Sequence, residues 1–195
     1  TQSRSSAASD VYKRQIMYEA YAPGSVAMLI ECLTDNRNRA VSDVRVAVTR
    51  NGATMADGGS VQRLFERKGV VTVSKTFEVT EGRKTTTHEV DEDQLMEATL
   101  EAEPEDIVDL GEAFEIICDP NAIVDVRKAI QAADIDYDSA EVEFRAGFAQ
   151  PVELEDARKI AKITELLEDL DDVQNVYTNA DITPELAAAL EEDED

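Results

Sequence analysis

Apolar residues recur in two rhythms along this chain, and each rhythm marks a kind of element. Ser25 to Leu33 is apolar on both faces, the pattern of a strand buried in the middle of a sheet. A helix is predicted from about Asn36 to Arg50, because Val41, Val44 and Val48 fall at helical spacing. Asn51-Gly52 is its stop, since both residues tolerate the left-handed conformation. Asp57-Gly58-Gly59 reads as a turn, and Ser60 as the cap of a short helix from Val61 to Lys68, ended by Gly69. Val70 to Lys75 returns as a strand. Phe77 to Val90 alternates and breaks at Glu81-Gly82, as a hairpin does.

A helix follows from about Asp91 to Ala102, then short strands at Asp106–Leu110 and Ala113–Cys118 around Gly111. Asp119 caps the next helix, with Pro120 at its first position, where proline loses no hydrogen bond. Ala140 to Arg145 is a strand. Val152 to Leu170 is the strongest helix, with Ile160, Ile163, Leu167 and Leu170 on one stripe, and Val173 to Tyr177 is the last strand. The order βαββαβ within 77–147 is ferredoxin-like. The expected fold class is therefore α/β (α+β), with two ferredoxin-like units, the second inserted in the first. The first unit takes residues 16–76 plus 148–182. Residues 183–195 form a short Ala-rich helix and an acidic tail, disordered from Glu191.

Charge changes this picture more than composition does. The 195 residues carry a net charge of −24, unevenly spread. Residues 1–84 hold 13 Lys+Arg against 9 Asp+Glu, and residues 85–195 hold 6 against 34. Such a chain is repelled by nucleic acid overall, so phosphate contacts must come from the first part. With 5% aromatic residues and no Trp, large stacking platforms for single strands are excluded. The longest apolar run, Val26 to Ile30, is too short to span a bilayer, so no membrane role is expected. Cys32 and Cys118 read as buried small hydrophobes, and the expected compartment is the cytoplasm.

No catalytic set is legible. There is one histidine, His88, and no Ser/His/Asp or Cys/His arrangement can be built around it. Cys32, Cys118 and His88 lack ligand spacing for a metal. Asp134-Ile-Asp-Tyr-Asp138 fails as a calcium loop, because Ser139 replaces the turn glycine and Arg145 stands where a bidentate Glu belongs. Gly58-Gly59 is a weak phosphate cradle, since it does not follow a strand. No metal, cofactor or catalytic residue is expected.

The candidate binding residues are basic: Arg37, Asn38, Arg39, Arg45, Arg50, Arg63, Arg67 and Lys68, read as clustered in two helices of one unit. The run Glu31-Cys-Leu-Thr-Asp-Asn-Arg-Asn-Arg39 sets arginines against the positive end of a helix dipole. That fits an anionic target. It fits equally an N-cap cluster whose arginines are solvated, or pair with Glu31 or neighbouring acids.

The same run, with Tyr18-Glu-Ala-Tyr-Ala-Pro-Gly24, resembles the YebC/PmpR family. The likeness continues through Gly58-Gly-Ser-Val61, Phe65-Glu-Arg-Lys-Gly-Val70, Asp91-Glu-Asp-Gln-Leu-Met-Glu-Ala98 and Asp171-Asp-Val-Gln-Asn-Val-Tyr-Thr-Asn179. Ala20, Ala22 and Ser25 stand where the family usually has glycine, and Glu103-Pro104 replaces a Gly-containing turn. The resemblance implies a DNA-binding transcriptional regulator. The alternative it implies is a ribosome-associated translation factor, or translational activator, binding rRNA or tRNA. Residues 1–15 resemble translated sequencing-adaptor sequence more than family sequence and are set aside as a non-native tail. The family's basic N-terminal helical domain is missing from this reading, so the chain is expected to be truncated and to bind DNA or ribosomal RNA weakly.

Overall fold

The computed structural model describes residues 12–192. Along the chain the elements are β1 (Arg14–Ala22), β2 (Val26–Thr34), α1 (Arg37–Thr49), β3 (Thr54–Met55), a 3-10 turn (Gln62–Leu64) and β4 (Phe65–Ser74). Next come β5 (Thr76–Glu81), β6 (Lys84–Glu89), α2 (Glu92–Thr99), β7 (Asp106–Asp109), β8 (Ala113–Cys118), α3 (Ile123–Ala132) and β9 (Ser139–Ala146). The last are β10 (Gln150–Pro151), α4 (Leu154–Glu168), β11 (Val173–Thr178), β12 (Ala180–Asp181) and α5 (Pro184–Glu192). The described residues divide into two compact units, 12–65 with 146–192, and 66–145.

The first unit is built on a sheet ordered β11-β2-β1-β3. β1 and β2 form an antiparallel hairpin, Arg14 opposite Thr34 and Ala22 opposite Val26. Its turn holds Gly24 and Ser25 at φ of 81° and 61°. A side chain is strained in that left-handed region, which Ser25 adopts all the same. The strand period of two puts Val26, Met28, Ile30 and Cys32 on one face, where they pack with Val44 and Val48 of α1 and Ile160, Ile163 and Leu167 of α4. The same period turns Glu19 and Leu29 to the other face. β11 joins β2 across 139 residues of sequence, counting from Thr34 to Val173, with a bulge between Val173 and Asn175.

The second unit has a sheet ordered β7-β8-β4-β9, and a separate two-stranded ribbon of β5 and β6. Val71, Val73, Phe114, Ile116 and Cys118 of the sheet pack with Leu95 of α2 and Val126 and Ile130 of α3. Asp91 and Gln94 close a full capping box on α2. Gly69 has a steric reason: a Cβ there would lie 2.8 Å from the Cys118 sulfur and 3.1 Å from Cβ of Ile123.

Several sequence expectations need correction. Val61 to Lys68 is not a helix: only Gln62–Leu64 turns, and Phe65 already begins β4. β4 pairs with β8, so it belongs to the second unit, which begins at Glu66 rather than residue 77. The first strand of that unit's sheet is thus β4, and the hairpin at 77–90 stands apart from it. β1 was not expected at all, and its first two residues, Arg14 and Gln15, fall within the stretch set aside as a tail. Of that stretch, residues 1–11 lie outside the described residues, as do 193–195 of the acidic tail; Glu191 and Glu192 lie in α5.

Candidate nucleic-acid interface

α1 starts because Asn36 adopts extended backbone and its side-chain carbonyl accepts from the Arg39 N–H at 3.0 Å. Thr34 braces the cap: its hydroxyl accepts from the Asn36 N–H and donates to the Asn36 carbonyl. Ala40, Val44, Ala47 and Val48 turn inward. The opposite face shows Asn38, Ser42, Arg45 and Thr49 to solvent at helical spacing, with Arg37 and Arg50 at the ends.

The arginines of this helix do not share one fate. Arg39 is clasped. Its Nε and Nη2 donate to the two carboxylate oxygens of Asp172 at 3.1 and 2.9 Å, and Nη2 also donates to Asp35 at 2.9 Å. The fork matches a carboxylate bidentately, which is the strong form of such a pair. Hydrogen bonds from Arg39 hold the Asp172 carboxyl below its usual range, and those to Asp172 and Asp35 raise the guanidinium. Arg39 is therefore a tie between α1 and the segment leading to β11. Glu31, considered as its partner, instead accepts from Gln15 at 3.0 Å.

Among the described residues, Arg37, Arg45 and Arg50 make no ion pair, and all three are exposed. Arg63 sits on the 3-10 turn and donates from Nε to the Ser60 carbonyl at 3.2 Å. The remaining two candidates are in the second unit, on β4. Arg67 is exposed, while Lys68 pairs with Glu105 at 2.7 Å and Glu66 at 3.3 Å. The expected single cluster is thus split: Arg37, Asn38, Arg39, Arg45 and Arg50 share α1, Arg63 is near the end of the same unit's first segment, and Arg67 and Lys68 belong elsewhere.

One functional-looking residue went unread. Glu19 is 5% exposed, and its carboxylate accepts from the N–H groups of Gly59 (2.6 Å), Val61 (2.8 Å) and Gln62 (2.6 Å). The glycine loop does present an anion-binding row of backbone donors, but the chain's own carboxylate fills it. These donors are engaged, which removes Gly58-Gly59 as a phosphate cradle. The signal lay in Glu19 itself, an acid in a stretch that is otherwise apolar or aromatic from Ile16 to Ala22.

Burial also settles the cysteines. Desolvation, with Asp172 and Glu31 nearby, pushes the Cys32 thiol up to about 11, and desolvation raises Cys118 too. Both are free thiols. Among the described residues no group of three or more His, Cys, Asp or Glu could hold a metal ion, and no helix is long and apolar enough to cross a membrane.

The α1 face and the two α/β units can now be set beside known proteins. The family model described as the TACO1/YebC second and third domain matches residues 13–180. A probable transcriptional regulatory protein of Cutibacterium acnes is 77% identical over 179 residues, covering 92% of this chain and 68% of the relative. Proteins of the same description from Thermobifida fusca and Mycobacterium tuberculosis are 57% and 54% identical, with 66% of each relative covered. The crystal structure of a conserved hypothetical protein from Aquifex aeolicus superposes with a TM-score of 0.74 at 32% identity, covering 87% of this chain and 65% of that one. The class so defined is that of probable transcriptional regulatory proteins, on a mixed α/β fold. The chain belongs to the TACO1/YebC family, and it spans about two thirds of the length of these curated relatives.

Proposed function

We propose that this chain acts in the cytoplasm as a DNA-binding transcriptional regulator, and that the outer face of α1 is its phosphate-contacting surface. The observation that carries this is the contrast along one helix: Arg39 is consumed by Asp35 and Asp172, whereas Arg37, Arg45 and Arg50 stay exposed and unpaired among the described residues. Asn38 and Ser42 on the same face add donors and acceptors that suit base edges or sugars. Arg63 extends the surface, and Arg67 is a separate contact. Arg39 and Lys68 serve indirectly, by holding their elements in place.

The fold reading that accompanies this proposal is a ferredoxin-like second unit inserted in the first, in the order β4-α2-β7-β8-α3-β9 with the β5/β6 ribbon added. In the first unit β2-α1-β3 and α4-β11 follow the same plan, and β1 supplies the remaining strand. Binding by this chain is weak, because its net charge of −24 opposes it and few phosphates are neutralised. The translation reading, with rRNA or tRNA on the same arginines, is separated by the probe.

The test is fluorescence anisotropy with labelled duplex DNA and with structured RNA, between about 50 and about 200 mM salt. The chain carrying R37A, R45A and R50A should lose affinity. On duplex DNA its salt slope should fall by about 0.9 for each phosphate contact removed. Unchanged binding on both probes sinks the α1 surface; loss on RNA alone transfers the function to translation.

A further inference from the structure

The second unit carries a cleft of about 830 Å³ beside the β5/β6 ribbon. Five consecutive residues of β5, Phe77 to Glu81, line it, although alternate side chains of a strand point to opposite faces. His88 and Glu89 of β6 line it as well, so the cleft lies against the ribbon as a whole. Among the described residues β5 pairs only with β6, so its other edge has no sheet partner. Its backbone donors and acceptors have the arrangement that receives an added strand.

The chemistry of the walls is one-sided. Glu78, Glu81, Glu89, Asp134 and Asp136 line the cleft, all exposed, and no Lys or Arg lines it. Among the described residues none of the five makes an ion pair or accepts a side-chain hydrogen bond. The C-terminal end of α3 reaches the same cleft through Gln131 and Ala133, and a helix C-terminus adds partial negative charge. Half-buried Phe77 and Val79 give apolar contact, and Phe77 stacks on His88 with centroids 5.3 Å apart. The carboxylates are not grouped to hold a metal ion, so the complement is an extended, multiply charged cation with a backbone of its own.

We infer that this cleft docks an extended Lys/Arg-rich protein segment, which adds as a strand to the free edge of β5 while its side chains meet the five carboxylates. This is a partner site distinct from the α1 surface and of opposite charge. It gives the regulator a means of holding a basic protein while the other unit meets nucleic acid.

The test uses the full chain and a synthetic peptide of alternating Arg and Thr, with isothermal calorimetry for affinity and amide chemical shifts for location. Three comparisons are made: E78Q/E81Q/D136N in the cleft; E185Q/E191Q/E192Q on α5, an equal change of net charge; and a peptide N-methylated at every amide, which keeps charge but blocks strand pairing through both of its edges. The cleft variant and the methylated peptide should each bind about tenfold more weakly, while the α5 variant changes by less than about twofold. Shifts should concentrate on Thr76 to Glu81. Equal losses from the two protein variants, or full binding by the methylated peptide, would overturn the proposal in favour of diffuse attraction to an acidic chain. No binding by the unmodified peptide overturns it outright.

Discussion

Two surfaces, the outer face of α1 and the free side of β5, end with opposite unmatched charge. In the first unit, the acids near the sheet are matched: Glu19 takes three backbone N–H groups, and Asp35 and Asp172 hold Arg39. On α1 this leaves Arg37, Arg45 and Arg50 without an ion pair among the described residues, beside one exposed acid, Asp43. In the second unit, Lys68, Lys75 and Arg145 are the matched groups, paired with Glu105, Asp109 and Glu115. Along β5 the carboxylates Glu78 and Glu81 are left without an ion pair among the described residues. A net charge therefore says little about which surface a protein presents; the residue left unmatched by the fold decides it.

The strongest way to break this contrast is at Glu19. Its replacement by Ala strands three donors in a buried site and should cost about 3 kcal/mol, whereas Gln, which keeps one acceptor oxygen, should cost roughly half. The E78Q/E81Q/D136N variant should shift stability by less than about 0.5 kcal/mol, or raise it slightly by relieving repulsion. Urea unfolding midpoints decide; equal costs at Glu19 and in the cleft would erase the difference between matched and unmatched acids.

Next in size is the clasp. Arg39→Ala should lower the melting temperature clearly more than Arg37→Ala and Arg45→Ala combined, since only Arg39 is bidentate to Asp172. A thermal scan in which the exposed pair proves the more damaging would refute the division of labour along α1.

Smaller effects appear at the extremes of pH. The folded Cys32 thiol is pushed up to about 11, above its unfolded value, so its contribution is complete below about pH 8.5 and is lost as pH rises through 11. C32A should show a flatter alkaline limb of stability than the parent. For Asp172 the sign reverses. Its folded value is depressed by Arg39, so its contribution is present above about pH 3.9 and fades as pH falls below that. D172N should flatten the acid limb, by less than C32A flattens the alkaline one because Asp172 is the less buried group; identical acid limbs would show that the clasp adds nothing.

What the sequence revealed and what it hid divide along the length scale of the interaction. α1 and α4 are read within a residue or two because their stripes and caps are local: Asn36 accepts from Arg39 three positions on, and Ile160, Ile163 and Leu167 mark one face. The segment Val61 to Phe65 has helical spacing too, but Glu19, 42 residues before Val61, draws its N–H groups into a turn. Arg39 meets Asp172 across 133 residues, and nothing near Arg39 announces that. The α1 surface was therefore half legible: the helix and its arginines were visible, but which arginine the fold would consume was not. β1 was missed because its apolar positions are interrupted by Glu19 and aromatic residues, and because its start was grouped with a tail.

The pairing of β2 with β11 sets an order of events during synthesis. The ribosome delivers β2 early, and the second unit is contiguous in the chain, so residues 66–145 can close around their own core while β2 still lacks its neighbour. Until Val173–Thr178 emerges, the most apolar strand of the molecule waits with one backbone edge unoccupied. The part made first is finished last, and the nascent chain is most exposed to mispairing in the interval between the two.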